Sequence, residues 1–353
     1  MKNILILPLS GIGDALMFTP ALTLLKEEYP HANIDALVMF GGVKNFYENL
    51  PQINNVHFFD FLNSNFFSAT RFLLKFRKKY DVSINIYPSN RFQYNVVNFL
   101  IGSKKRAGIN YKLNKLFNLH FLNNVRINED LSLHNVEQNV KLIEKLTDNK
   151  YNNIPHLNFP LNEEDENFGK NFVDSVRFNE NEKIIALHAG CSTLKNHINR
   201  RWAPEKFIEL SRKLIARGNV RILLFGGPDE NELKEKIACG VGSDKLKKVE
   251  TNTLSQTAAV LKNCDLMISN DSGLMHIGAA MQRKIISLIG PTNKTFIAPW
   301  KTEHKIASIN LDCSPCFYYS PKPLSCSRTD VQFKCLKELN VDSVLQLAVN
   351  YLR

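Results

Sequence analysis

No stretch of the 353 residues approaches the roughly 20 apolar residues of a membrane-spanning helix. The amino terminus, MKNILILPLSGIGD, carries a single basic residue, Lys2. Its short apolar run enters a glycine-rich loop instead of a small-residue cleavage site. It reads as a first strand and not as a signal peptide, so a cytoplasmic protein is expected. The lysines and arginines are not interleaved with aromatics along a stripe, which argues against nucleic acid as a partner. No Asp-x-Asp pair stands at a strand end to hold a metal–diphosphate, and no His-x-x-x-His pair is present. Catalysis is therefore expected to need no metal. The dinucleotide fingerprint is broken too. Gly11 and Gly13 are followed by Leu16 where a third glycine belongs, and Asp35 begins the second strand instead of closing it. That speaks against a nicotinamide cofactor and an oxidoreductase.

What is present suits a soluble α/β protein. The length allows two domains, each with its own core. The net charge of +11 favours anionic partners such as nucleotide phosphates or an acidic membrane surface. The organising stretch is DLMISNDSGLMHIGAAMQRKIISLIGPTN, residues 265–293. It predicts a buried strand, a polar turn (Asn270, Asp271, Ser272, Gly273), a helix over 274–281, a second strand, and a loop at Gly290-Pro291-Thr292. Two parallel strands need such a crossover. A helix opening after Gly273 aims free N–H groups and the positive end of its dipole at whatever lies at the strand ends, which favours phosphate. Asp271 or Ser272 suits the N-cap, and His276 lies one turn further on the same face. An ordinary capped helix with a buried histidine would read the same way.

Strands KIIALH (183–188) and RILLFG (221–226) end at Ala189-Gly190-Cys191-Ser192 and at Gly227-Pro228-Asp229-Glu230. Four strands ending in polar loops, with helical stretches between them, predict a parallel sheet whose loops share one crevice. In the first half, ILIL (4–7) runs into Pro8-Leu9-Ser10-Gly11-Ile12-Gly13-Asp14, and Asp14 opens a helix that restarts at Thr19-Pro20. The run from Phe66 to Tyr80 predicts a basic amphipathic helix, either packed on the sheet or resting on a membrane surface. His134 to Thr147 predicts another helix. Periodicity stops between Tyr151 and Glu166. The expected domains are 1–160 and 161–340. A terminal helix, 341–353, is expected to pack back on the first domain.

Seven cysteines are present. Cys313, Cys316, Cys326 and Cys335 have spacings compatible either with structural zinc or with free thiols. A two-domain protein of this kind suits an activated donor in one domain and an acceptor in the other. Asp14 would take the acceptor proton. Arg200, Arg201, Lys195 and the helix start at Ser272–Gly273 would neutralise a departing diphosphate. Arg200-Arg201-Trp202 also fits a solvated pair beside a buried Trp.

The chain resembles the bacterial heptosyltransferase family, glycosyltransferase family 9. The resemblance is carried by ILILPLSGIGDALMFTPAL, LHAGCSTLKNHINRRWAPEKFIEL, LFGGPDE, DLMISNDSGLMHIGAA with IGPTN, and CSPCF, in that order. It implies two facing Rossmann-like domains with parallel sheets, the B-type glycosyltransferase architecture, and inversion at the sugar's anomeric carbon. It implies ADP-heptose as a nucleotide-sugar donor substrate in the domain 161–340, the acceptor in the domain 1–160, and no further cofactor. The acceptor would be a glycolipid or polysaccharide of the lipopolysaccharide core, met at the anionic cytoplasmic face of the inner membrane. By position, Asp14 matches the family's base, with Ser10, Gly11 and Gly13 beside it. Arg200 stands near the donor phosphates with Arg201 and Ser192. Asp271, Ser272, Gly273 and His276 match the element that holds diphosphate and sugar, Thr292 lies in the neighbouring loop, and Asp229 or Glu230 would reach the ribose. One departure is Gly190-Cys191 where the family has hydroxyl residues. The rival readings are a nucleotide-sugar epimerase on the same scaffold and a non-catalytic sugar-nucleotide or glycan binding protein.

Overall fold

Apolar runs that follow a polar turn and precede a helical stretch become strands in the computed structural model, which describes residues 2–112, 118–318 and 323–352. The chain divides into two compact units, residues 1–160 and residues 161–318 with the terminal stretch from 323. The sheet of the first holds β1 (Asn3–Leu7), β2 (Asn33–Val38), β3 (Asn55–Phe58), β4 (Val82–Asn85), β5 (Lys105–Asn110) and β6 (Val125–Asn128). All pairings are parallel, in the order β3-β2-β1-β4-β5-β6. The second sheet holds β7 (Lys183–His188), β8 (Val220–Phe225), β9 (Leu246–Lys248), β10 (Leu266–Asn270), β11 (Lys284–Leu288) and β12 (His304–Ala307). Its order is β12-β11-β10-β7-β8-β9, again all parallel.

Counted from its own first strand, each sheet has the doubly wound order 3-2-1-4-5-6. The winding reverses between β1 and β4 in one unit and between β7 and β10 in the other. Loops that leave the carboxyl ends of those strands flank a crevice, so topology alone nominates the segments after β1, β4, β7 and β10. The strands β1, β4, β7 and β10 are buried along nearly their whole length, as helices on both faces require. The edge strands β3, β6, β9 and β12 have three or four residues each and few apolar ones. Sequence periodicity did not register them, and the second sheet has six strands where four were expected.

The first helical stretch breaks as its sequence predicts. One helix covers Ile12–Met17 and a second covers Thr19–Glu28, with Pro20 in the first turn, where its missing N–H costs nothing. Thr19 does not cap by accepting. Its hydroxyl donates 2.7 Å back to the Leu16 carbonyl. The helix expected over 66–80 ends at Leu74. The chain then turns through Lys78, at φ 58°, whose N–H donates to the Ile101 carbonyl at 2.8 Å. The helix Asn135–Thr147 starts in a capping box, with His134 accepting from the Val136 N–H and Glu137 accepting from the His134 N–H.

The terminal helix, Val341–Leu352, packs within its own unit. Val341, Val344, Leu345 and Ala348 are buried in the second unit's core, together with Trp202, Phe207 and Leu210. Spaced i, i+3, i+4, i+7, they form one apolar face that fits beside the helix Pro204–Ala216. Among the described residues, no helix is long and apolar enough to cross a membrane.

Helix Glu163–Val176 packs on helix Leu254–Lys262 through Gly169, where an added Cβ would lie 2.3 Å from the Ala259 carbonyl carbon. Backbone cannot yield as a side-chain tip does. Gly169→Ala is expected to lower stability by about 1–3 kcal/mol despite alanine's better helix propensity. Thermal unfolding checks this, and an unchanged or raised midpoint would show that the two helices part easily.

Candidate functional site

In the first unit, the loop after β1 delivers Asp14. Gly11 is the extended N-cap residue of helix Ile12–Met17, and Asp14 sits half-buried in its first turn, where a carboxylate is favoured. Ser10 precedes it with a buried hydroxyl that finds no partner, and Gly13 lies inside the helix. The Tyr94 hydroxyl donates 3.0 Å to the Leu9 carbonyl and pins the loop. Burial raises the Tyr94 and Tyr111 phenols, and the Asp14 charge adds to both. Asp14 is thus within electrostatic reach of tyrosines on the elements after β4 and β5.

A network of amides that the sequence reading missed supports the β4 side. The Asn95 side-chain oxygen accepts from Asn85 at 3.1 Å and from Asn123 at 2.7 Å, and Asn123 in turn accepts from Asn98 at 2.8 Å. All four are buried. Gly108 is required beneath them, because a Cβ there would lie 2.4 Å from Asn123 Nδ2. Amides hold this geometry without charge, so it persists across pH. The Tyr87 N–H donates to Asn139 at 2.8 Å, and its hydroxyl donates to Glu129 at 3.0 Å, which fixes the start of the loop after β4.

In the second unit four loops converge on the start of helix Gly273–Ala280. Arg200 Nη1 donates 2.7 Å to Asp271 Oδ2, and the Thr292 hydroxyl donates 2.7 Å to the same oxygen. Asp271 is 5 % exposed. Arg200 also lies 5.5 Å over the Phe317 ring and 3.3 Å from His197 Nδ1. Ser272, not Asp271, is the N-cap, accepting from the Met275 N–H at 3.3 Å.

Ser272 Oγ is 3.0 Å from His188 Nδ1, and His188 Nε2 is 3.1 Å from Glu230 Oε2. Glu230 also accepts from the Gly227 N–H at 3.1 Å and from Arg201 at 3.4 Å. Burial alone would raise the Glu230 carboxyl; His188, Gly227 and Arg201 outweigh it and hold the group below its ordinary range. Glycine at 190 leaves room for this carboxylate, since a Cβ there would meet Glu230 Oε1 and displace it. That is a structural reason for Gly190 where the family resemblance led one to expect a hydroxyl residue. The Arg200-Arg201 pair is not solvated. Each guanidinium is largely buried against a different carboxylate, and Trp202 is fully buried.

The expected residues therefore fall into two connected groups, Arg200–Asp271–Thr292 and Arg201–Glu230–His188–Ser272, joined through the helix start. Asp229 is exposed and Ser192 faces solvent, outside both groups. His188 was missed, and Asn270 was read only as a turn residue. Asn270 donates 2.7 Å to the Ala189 carbonyl and accepts from the Trp202 N–H at 3.0 Å, tying the loops after β7 and β10 together. Their signal was position: each is the last residue of a central strand. His276 is buried, and its Nδ1 finds no partner. Burial pushes its imidazole down to about 4, with Asp271 opposing and Arg200 assisting.

Cys313, Cys316, Cys326 and Cys335 are free thiols, and Cys326 Sγ accepts from the Phe333 N–H at 3.2 Å. Among the described residues no group of three or more His, Cys, Asp or Glu is arranged to hold a metal ion.

The model of glycosyltransferase family 9 (heptosyltransferase) matches residues 70–324. The chain belongs to this family. It is 26% identical over 367 aligned positions to lipooligosaccharide heptosyltransferase 2 of Campylobacter jejuni, covering 100% of this chain and 99% of that one. With the enzyme of the same name from Haemophilus influenzae it shares 28% identity over 308 positions, 84% of this chain and 86% of that one. The solved structure of E. coli ADP-heptose LPS heptosyltransferase II superposes with a TM-score of 0.74 at 19% identity, covering 100% and 98% of the two chains. E. coli heptosyltransferase WaaC with ADP gives 0.69 at 20%, covering 99% and 97%. At that identity the structures establish the shared fold. Family membership makes this chain a glycosyltransferase, and the epimerase and binding-protein readings give way.

The buried imidazole of this family 9 enzyme sets a pH dependence. The unfolded chain protonates His276 near 6.5 and the folded chain only near 4, so U binds more protons in between. Stability from this group is present above 6.5 and is lost as pH falls toward 4, by at most roughly 3 kcal/mol. Denaturant titrations of wild type and His276→Gln between those pH values are expected to show a shallower slope in the variant. Parallel slopes would mean that His276 titrates normally.

Proposed function

We propose that the protein is an inverting heptosyltransferase that moves heptose from ADP-heptose to a lipopolysaccharide-core or related glycan acceptor, at the cytoplasmic face of the inner membrane. Support comes from the names of the relatives, heptosyltransferases 2 of lipooligosaccharide, and from an E. coli WaaC structure with ADP-2-deoxy-2-fluoro heptose. The observation that carries the reading is the desolvated Arg200–Asp271–Thr292 cluster at the start of helix Gly273–Ala280.

A diphosphate at this helix start meets unpaired backbone N–H groups and two guanidiniums whose planar forks match paired oxygens. In the low dielectric of the site their attraction for a developing negative charge is strong, and the leaving diphosphate is neutralised without a metal. The neutral imidazole of His276 offers one donor and one acceptor toward sugar or phosphate. Asp229, exposed in the loop after β8, reaches the ribose. Glu230, the other residue expected there, is held by His188 and Arg201 and acts by positioning that loop.

The first unit supplies the base. Asp14 takes the proton of the acceptor hydroxyl, the oxygen attacks the anomeric carbon, and the bond to the diphosphate oxygen breaks. A single displacement inverts that carbon. Ser10 and the backbone at Gly11 and Gly13 orient the acceptor hydroxyl in this reading.

Asp14→Asn is expected to lower the rate of ADP release in the presence of acceptor by about 10²–10⁴-fold while leaving ADP affinity unchanged. Turnover near the wild-type rate would remove Asp14 as the base. Arg200→Lys, which keeps charge and loses the fork, is expected to weaken ADP binding by about tenfold or more. Calorimetric titration with ADP, UDP and GDP reads this directly. Preference for UDP or GDP over ADP would overturn the donor assignment.

A further inference from the structure

Between Phe61 and Asn128 the sequence carries twelve Lys and Arg and a single acid, Asp81. The whole chain has 45 basic and 34 acidic residues, so 33 of each remain elsewhere, and this one segment holds the entire excess of +11. The segment lies within the first unit and includes the two helices Phe66–Leu74 and Phe92–Ile101, which pack on each other.

The same segment exposes large apolar side chains. Phe66 is 73% exposed, Phe67 83% and Leu74 47%. Phe67, Arg71 and Leu74 follow at i, i+4 and i+7 and form one outward ridge, while Leu73 and Phe76 are buried on the opposite side. Lys75, Arg77, Lys78 and Lys79 follow the helix, all exposed. The ridge continues onto the second helix. The stems of Arg77 and Lys78 lie beside Gly102 at its end, and Arg106 lies 5.7 Å over the half-exposed ring of Phe99. A soluble surface gains nothing from adjacent solvated phenylalanines. Exposed phenylalanines at the start of a helix too short to span, with a basic turn at its end, are the composition of a helix lying in a lipid interface. Each basic side chain near an anionic leaflet adds attraction, and its alkyl stem covers apolar surface while the charge reaches the headgroups.

We infer that the ridge of helix Phe66–Leu74, with the basic turn after it, docks the first unit on an anionic phospholipid bilayer, Phe66, Phe67 and Leu74 entering the interface and Arg71, Lys75 and Lys78 meeting lipid phosphates. This rests on the proposed membrane-linked acceptor, and it names the surface that meets the membrane. The docking surface is distinct from Asp14, so its loss leaves chemistry on a soluble acceptor intact.

Co-sedimentation of the full chain with phosphatidylcholine vesicles, with and without phosphatidylglycerol, tests it. The wild type is expected to bind anionic vesicles at least about tenfold more tightly than neutral ones, and less tightly in high salt. The double variant Phe66→Ser, Phe67→Ser is expected to lose about tenfold or more in vesicle affinity. Its circular-dichroism melt and its transfer to a delipidated acceptor should match wild type. Lys75→Glu with Lys78→Glu should lose anionic-vesicle binding by at least about tenfold. Serine variants that bind like wild type, equal binding to both vesicle types, or loss of vesicle binding to competing single-stranded oligonucleotide would overturn the assignment. Vesicle binding that follows this pattern in a protein with no transfer from ADP-heptose would sink the proposed reaction and leave the docking surface standing.

Discussion

The second unit is organised around one desolvated carboxylate. Asp271 is 5 % exposed, and its Oδ2 accepts from both the Arg200 guanidinium and the Thr292 hydroxyl at 2.7 Å. An ion of that kind is tolerable only while its partners stay in place, since removing one leaves an uncompensated buried charge at a cost of about 3–5 kcal/mol. The consequence is geometric. Arg200 comes from the loop after β7, Asp271 from the loop after β10 and Thr292 from the loop after β11, so one acid fixes three loops at the opening of a helix. An anionic ligand at that helix start competes with Asp271 for Arg200. The ion pair thus holds the guanidinium ready in orientation while lowering the free energy that binding it can release.

A second acid does the same work one loop over. Glu230 binds His188, Arg201 and the Gly227 N–H, and it occupies the space above Gly190. The first unit has the same strand order but steadies its crevice loops differently, with neutral amides at Asn85, Asn95, Asn98 and Asn123. The contrast follows from chemistry. A unit proposed to handle a diphosphate benefits from guanidiniums, and these need acids to be buried. A unit proposed to present a carboxylate as a base benefits from neutral support that neither attracts nor titrates with it.

The sequence revealed the central strands and the helix starts because they carry strong local signals. Continuous apolar runs marked β1, β7, β10 and β11, while Asp271 or Ser272 marked one helix start and apolar spacing marked the helix after His134. The edge strands lacked such runs, so β9 (LKK) looked like any charged loop. Helix Val341–Leu352 was legible as amphipathic, yet periodicity says which face is buried and not against what. The family resemblance supplied the residue types at the site. It could not foresee that Glu230 turns inward, because that depends on His188 and Gly190, 42 and 40 positions away, meeting it across neighbouring strands. The amide network escaped for a similar reason: asparagines separated by 3 to 38 positions look like scattered turn formers until the sheet assembles them.

Charge teaches the same lesson at a larger scale. A net +11 in a nucleotide-dependent enzyme invites the explanation that the positive charge serves the donor's phosphates. The arginines at the candidate donor site do not supply that excess. Arg200 is matched by Asp271, and Arg201 shares Glu230 with His188. The unmatched charge sits in residues 61–128 of the other unit, where solvated lysines follow a helix with two exposed phenylalanines. Buried guanidiniums bind one small anion in one geometry. Exposed ammonium groups, held by flexible stems and screened by salt, suit a broad anionic surface without fixed register. The two sets of cations therefore suit different partners, and the total charge of the chain reports mainly on the second.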